Sequence, residues 1–176
     1  DCEAVFSGTP AAWPGMLVKL HAAARNGAPD LAIILTGACW SQAAALAALD
    51  PALIADENVI WTFHSYSPFA YTHQGASWTV HPMVYLWDLP YPPSLMTTEI
   101  AEQVTAEATQ RMAAAEGTAA DPEPILTKIM EYMDTPDRAV ADDIAVAAEW
   151  ADANGIPRGR VLLGEFGALH TVNGLS

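Results

Sequence analysis

The chain reads as an α/β fold built on a parallel sheet, and three observations lead there. Helix-like and strand-like segments alternate, the strand-like runs are apolar without interruption, and polar side chains gather just after those runs. Such alternation gives β-α-β units whose strands are parallel. Continuous apolar runs suit strands covered on both faces, and residues that do chemistry in these folds sit at strand C-terminal ends. An open doubly wound sheet and part of a closed barrel both fit the order. Three strands are few for either, since a complete barrel takes eight strands and roughly 250 residues.

The first element is a helix over Trp13 to Arg25. Pro14 suits a first helical position, Met16, Leu17, Leu20 and Ala24 recur at helical spacing, and Asn26-Gly27 ends it. Leu31 to Leu35 is an unbroken apolar strand closed by Thr36-Gly37, and Ser41 is placed as the cap of a helix running to Leu49 before Asp50-Pro51. Asn58 to Phe63, rich in β-branched and aromatic residues, is the next strand. A long aromatic and Pro-rich connection follows, from His64 to about Pro93; loops of this length in compact domains are usually functional or disordered, and its aromatics favour function. Helices are expected over Thr97 to Ala115, with Thr98 and Glu102 facing water, over Pro122 to Met133, and over Asp137 to Ala153 with an alanine-rich buried face. Arg160 to Leu163 is the third strand and leads into Gly164-Glu165-Phe166-Gly167. There is no internal repeat, low-complexity tract or interdomain linker.

Composition narrows the function classes. The chain has 176 residues, 52% of them hydrophobic, enough for one buried core. Aspartate and glutamate number 21 against 7 lysines and arginines, for a formal charge of −14. So acidic a surface disfavours nucleic acid and anionic membranes as partners, because both are bound through lysine and arginine. A neutral partner such as a sugar carries no such penalty. No stretch reaches the roughly 18 to 20 apolar residues of a membrane span. The start, Asp1-Cys2-Glu3, lacks an initiator Met and reads as a cut.

Three strand ends carry candidate chemistry. His64 and Tyr66 follow the second strand, and alternation puts them on one side; the alternative is a pair of polar caps bonded to nearby loops. His73, Gln74 and Trp78 cluster in the loop beyond. Hydroxyls need polar partners and a pyranose face stacks on indole, although a loop pinned by a buried tryptophan reads equally well. Glu165 leaves the third strand between glycines, as a carboxylate entering the strand-end cavity or as an ordinary salt-bridged glutamate.

The run Asn58-Val-Ile-Trp-Thr-Phe-His-Ser-Tyr-Ser-Pro-Phe-Ala-Tyr-Thr-His-Gln-Gly-Ala-Ser-Trp78 resembles the sixth-strand segment of glycoside hydrolase family 5, and Gly164-Glu165-Phe166-Gly167 is similar to that family's seventh-strand motif. The resemblance covers essentially the whole chain; residues 90 to 137 match only in general character. It implies a partial TIM (β/α)8 barrel, from about the helix after strand 4 through strand 7, with residues 1–176 as the C-terminal part of a single catalytic domain. It also implies a cellulase-like, retaining hydrolysis of β-1,4-glucan, in which two carboxyl groups stand about 5 to 5.5 Å apart. Glu165 would be the nucleophile, Tyr66 would hold its carboxylate, His64 would contact sugar hydroxyls or the acid/base, and His73 and Trp78 would line the glucan cleft. No metal or cofactor is implied, and the location is secreted or periplasmic.

The sequence departs from the family at the acid/base, the Glu of an Asn-Glu-Pro motif after strand 4, which occurs nowhere here. Asp1 to Trp13 looks like the loop that follows that motif, and Glu3 matches the loop, not the catalytic position. Strands 1 to 4 and 8 are not matched, so the isolated chain is expected to be inactive. Cys2 and Cys39 follow the neighbouring strands 4 and 5 of the family pattern, which implies a disulfide between them. The rival readings are a non-catalytic carbohydrate-binding relic of the same fold and an unrelated α/β domain in which Glu165 is structural.

Overall fold

The computed structural model describes residues 2–3, 12–117 and 119–169. In chain order its elements are α1 (Trp13–Gly27), β1 (Ile33–Thr36), α2 (Ala43–Ala47), β2 (Val59–Ser65), α3 (Phe69–Thr72), α4 (Thr98–Glu116), α5 (Glu123–Met133), α6 (Ala139–Ala153) and β3 (Val161–Phe166), with short 3-10 turns between them. The expected alternation is present, and the three strands form a parallel sheet in the order β1-β2-β3. The chain divides into two compact units, residues 1–65 with 141–166, and residues 66–140 with 167–176.

The first unit holds the sheet. Leu35 of β1, Val59, Trp61 and Phe63 of β2, and Leu17, Leu46, Ala147, Trp150 and Ala151 from α1, α2 and α6 make one core. The rings of Trp61 and Trp150 meet edge to face at 5.4 Å, and the Trp150 indole N–H donates to the Leu49 carbonyl at 2.9 Å. Pro14 occupies the first turn of α1, as its fixed φ and missing N–H allow. At the base of the sheet the Asp56 carboxylate takes His21 Nε2 at 2.7 Å and both Arg25 Nε and an Arg25 terminal nitrogen at 2.9 and 2.7 Å. Those bonds, His21 first and Arg25 next, hold Asp56 well below the usual carboxylate range. Cys2 and Cys39 are bonded as a disulfide, with Cα atoms 4.6 Å apart.

Several expectations change here. β1 is covered on one face only, since Ile34 is 55% exposed; helices pack against the Leu35 side, and four apolar residues in a row do not specify how many faces are buried. Ser41 caps nothing. It lies in a 3-10 turn, Cys39–Ser41, while Gln42 stands at the head of α2 without a side-chain cap. β2 runs on through His64 and Ser65, so the expected long connection begins later and contains α3 and turns at Met83–Tyr85 and Pro93–Leu95.

The second unit has its own core of Leu86, Ala108, Met112, Ile125, Ile129 and Tyr132. Thr97 caps α4 by accepting the Ile100 N–H at 3.2 Å, Gly117 ends it with φ 68°, and Thr98 and Glu102 are exposed as expected. The Tyr132 hydroxyl donates to the Pro90 carbonyl, and burial pushes that phenol above its ordinary value. Residues Asp1 and 4–11, on which the loop comparison upstream of Trp13 rested, lie outside the described residues.

Candidate active site

Paired residues in a parallel sheet share a face. Ile34 pairs with Ile60 and Thr36 with Thr62, all on the side away from the helices. His64, two residues past Thr62, belongs to that side as well. On β3, Leu162 pairs with Thr62 and Leu163 with Phe63, and then the register slips: His64 pairs with Glu165, not Gly164. Gly164 is the extra residue of a β-bulge.

The slip decides where Glu165 points. With unbroken pairing Glu165 would oppose Ser65 and face the helix-side core, because shifting register by one moves a side chain to the other face. With the bulge it opposes His64 and shares its face. His64 Nδ1 lies 3.2 Å from Glu165 Oε2, and the side chains are 20% and 57% exposed. Gly164 is required at the bulge by space: a Cβ there would stand 2.5 Å from Thr62 Oγ1. That hydroxyl is fixed, donating to the Leu162 carbonyl at 3.0 Å. On its other flank His64 bridges Gln42, just past the Cys39–Ser41 turn. Cys39, Trp40 and Ser41 all have positive φ, 51°, 52° and 63°, and Trp40 is 80% exposed. A carboxylate beside an imidazole at the C-terminal edge of a parallel sheet can act as nucleophile or base, and an exposed indole offers a sugar a flat apolar face.

The sequence-predicted site residues fall in both units. Glu165 and His64 meet in the first. Tyr66 lies beyond the end of β2, in the second unit, where its ring meets His73 edge-on at 5.0 Å. Phe69 stacks on the other side of His73 at 4.1 Å, Thr72 Oγ1 lies 3.0 Å from His73 Nδ1, and burial holds this imidazole below its ordinary value. Trp78 is 69% exposed, so it does not pin its loop from within. That task falls to Gln74, whose side chain bonds the loop backbone and not a free cleft. It is buried, donates to the Tyr71 carbonyl at 3.1 Å, and accepts the Leu89 N–H at 2.7 Å.

Thr62, Trp40 and Phe69 are functional neighbours that the sequence does not single out, and Gly164 is singled out there only as a glycine flanking Glu165, not as a bulge. A glycine inside a strand pattern signals a bulge, and aromatics after strand ends signal a platform. Among the described residues no three His, Cys, Asp or Glu side chains stand close enough to hold a metal ion, and no helix is long and apolar enough to cross a membrane.

A profile of the Cellulase family, glycosyl hydrolase family 5, matches residues 6–175. The chain belongs to glycosyl hydrolase family 5. This is the cellulase family, and it is a family of TIM barrels. Endoglucanase 3 of Fibrobacter succinogenes (strain ATCC 19169 / S85) is 29% identical over 163 residues, covering 92% of this chain. The chain spans 22% of that relative's length. A solved structure described as an endoglucanase superposes with a TM-score of 0.52 at 22% identity, over 89% of this chain and 36% of the other, which is a likeness of fold.

Proposed function

We propose that this family 5 chain is the C-terminal part of a retaining endo-β-1,4-glucanase domain and that Glu165 is its nucleophile. Its three strands correspond to strands 5 to 7 of a (β/α)8 barrel, and α1 is the helix after strand 4. The observation that carries the reading is the bulge at Gly164, which turns the Glu165 carboxylate to the His64 side of the sheet at the strands' C-terminal edge. Catalytic residues of such barrels come from that edge.

In this reading Glu165 attacks the anomeric carbon as the leaving sugar departs, and water later hydrolyses the glycosyl ester with retention. His64 orients the carboxylate and keeps one oxygen occupied by an N–H. The resemblance assigns Tyr66 the steadying of the same carboxylate, and His73 and Trp78 the lining of the glucan cleft. The proton donor is assigned to an Asn-Glu-Pro glutamate outside residues 1–176, in keeping with the share of its relatives that this chain spans. Loss of general acid/base help alone costs about 10² to 10⁴ in rate, so the isolated chain is inactive on this account. The partner is a neutral β-glucan, encountered outside the cell or in the periplasm.

The test is made in the longer protein. Glu165→Gln is expected to lower the hydrolysis of cello-oligosaccharides by about 10³-fold or more. Glu165→Gly supplied with azide is expected to release the α-glycosyl azide, since the small anion attacks from the face the carboxylate has vacated. Undiminished turnover by Glu165→Gln, or a β-configured azide, rejects the assignment.

A further inference from the structure

Ser65 departs from the pattern of its own row. Val59, Trp61 and Phe63 line the helix-facing side of β2 and are buried, and Ser65 comes next on that side, equally buried but polar. Its hydroxyl donates to Asp143 Oδ2 at 2.7 Å. Asp143 stands one turn before Ala147 on α6, and Ala147, Trp150 and Ala151 are all buried in the core. The carboxylate therefore ends a stripe on which an apolar residue would be cheaper to bury.

The position of this pair matters more than its presence. Ser65 follows His64, and its ladder partner Phe166 follows Glu165, so the hydrogen bond ties down the last rung of β2 and β3 from the side opposite the candidate site. The bulge lies one rung before it. Beyond a bulge the regular ladder no longer enforces register, and the apolar row that could do so ends at Phe63.

We propose that Ser65 and Asp143 are positioning residues that hold the His64–Glu165 pair in contact through the backbone of the final rung. The inference rests on the preceding section only for the chemical role of Glu165; the contact itself is independent of that role. A hydroxyl donating to a carboxylate is directional, and fixes the strand end in rotation as well as in depth. A methyl group in the same space would keep the packing and lose the direction.

The experiment uses the full chain with nitrogen-15 in its histidines, at one fixed pH. The His64 Nδ1 chemical shift reports the carboxylate beside it, and Glu165→Gln supplies the position of that signal once the contact is lost. Ser65→Ala, folded by circular dichroism, is expected to move the signal more than halfway to that position. Ser65→Thr keeps the hydroxyl and is expected to leave it in place. A lower melting temperature with the signal unmoved in Ser65→Ala overturns the proposal, because a packing role alone predicts that result. Should Ser65→Ala not fold, Asp143→Ala removes the acceptor instead; movement in the same direction supports the proposal and no movement overturns it. An active Glu165→Gln enzyme would remove the nucleophile reading and leave these shifts untouched, so the two failures are distinguishable.

Discussion

Substituting Gly164 by alanine tests the geometry on which the candidate site depends. The backbone of Gly164 does not need glycine for its φ, so the substitution is not strained in itself and would narrow the unfolded ensemble, a gain of about 0.4–1 kcal/mol. The loss comes from contact. The new methyl would sit 2.5 Å from Thr62 Oγ1, a hydroxyl on a buried, β-branched side chain bonded to the Leu162 carbonyl at 3.0 Å. Rotating Thr62 away breaks that bond, worth about 0.5–1.5 kcal/mol, and forcing the strands apart is an overpacking cost of about 1–3 kcal/mol. The net is a destabilisation of about 1–3 kcal/mol, read as a fall in melting temperature of about 2–12 °C for a chain of this size. The cycle with Thr62→Ala isolates the cause. Thr62→Ala alone destabilises, but in the Gly164→Ala background it also removes the obstructing oxygen, so the two effects are expected to be non-additive by about 1 kcal/mol or more. Denaturant unfolding measures all four proteins. Gly164→Ala as stable as its parent, or strict additivity, would refute the account of the bulge.

Three further outcomes follow from the same contacts. Gln74→Ala leaves the buried Leu89 N–H without an acceptor and should cost about 1–3 kcal/mol in denaturant unfolding, with Gln74→Glu retaining part of that bond. Asp56 has a folded pKa below its ordinary 3.8, so its contribution is complete above that value and is lost as pH falls through the lower folded value; Asp56→Asn should flatten the acid limb of a stability–pH curve. The disulfide closes a sequence separation of 37, for which chain entropy gives about 3–4 kcal/mol, so the native chain should show no free thiol and Cys39→Ser should unfold at lower denaturant by that amount.

What was legible in the sequence and what was not divide along a physical line. The order of elements, the three parallel strands and the exposure of Thr98 and Glu102 follow from local patterns, and local patterns carry them. α4 begins at Thr98, one residue after its expected start at Thr97, because Thr97 stands outside the first turn as the cap. The run Leu31 to Leu35 suits a strand covered on both faces, yet Ile34 is exposed, because a short apolar run looks alike whether helices cover one face or two. Ser41 looked like a cap by residue type, yet the left-handed turn from Cys39 to Ser41 carries it past that position before α2 begins. Gln74 looked like a sugar ligand for its chemistry, and its partner Leu89 is fifteen residues away, beyond any local reading. The sequence places Glu165 beside the rings of His64 and Tyr66, but it does not show how the strands make the His64 contact.

That contact depends on register, and register is a property of two strands nearly a hundred residues apart. Alternation applied to β3 alone sends Leu163 toward the helices, Gly164 away from them and Glu165 back toward them, the wrong side for chemistry. The bulge reverses the last assignment, and it can form only where the extra residue has no Cβ to meet Thr62. The same glycine therefore leaves room for the neighbouring strand and turns the carboxylate to the other face. Unbroken alternation would instead return Glu165 to the side of Trp61 and Trp150, where a carboxylate is costly to bury. The small residue before Glu165 thus fixes the direction of the carboxylate, and the imidazole of His64 gives it a neighbour once it has turned.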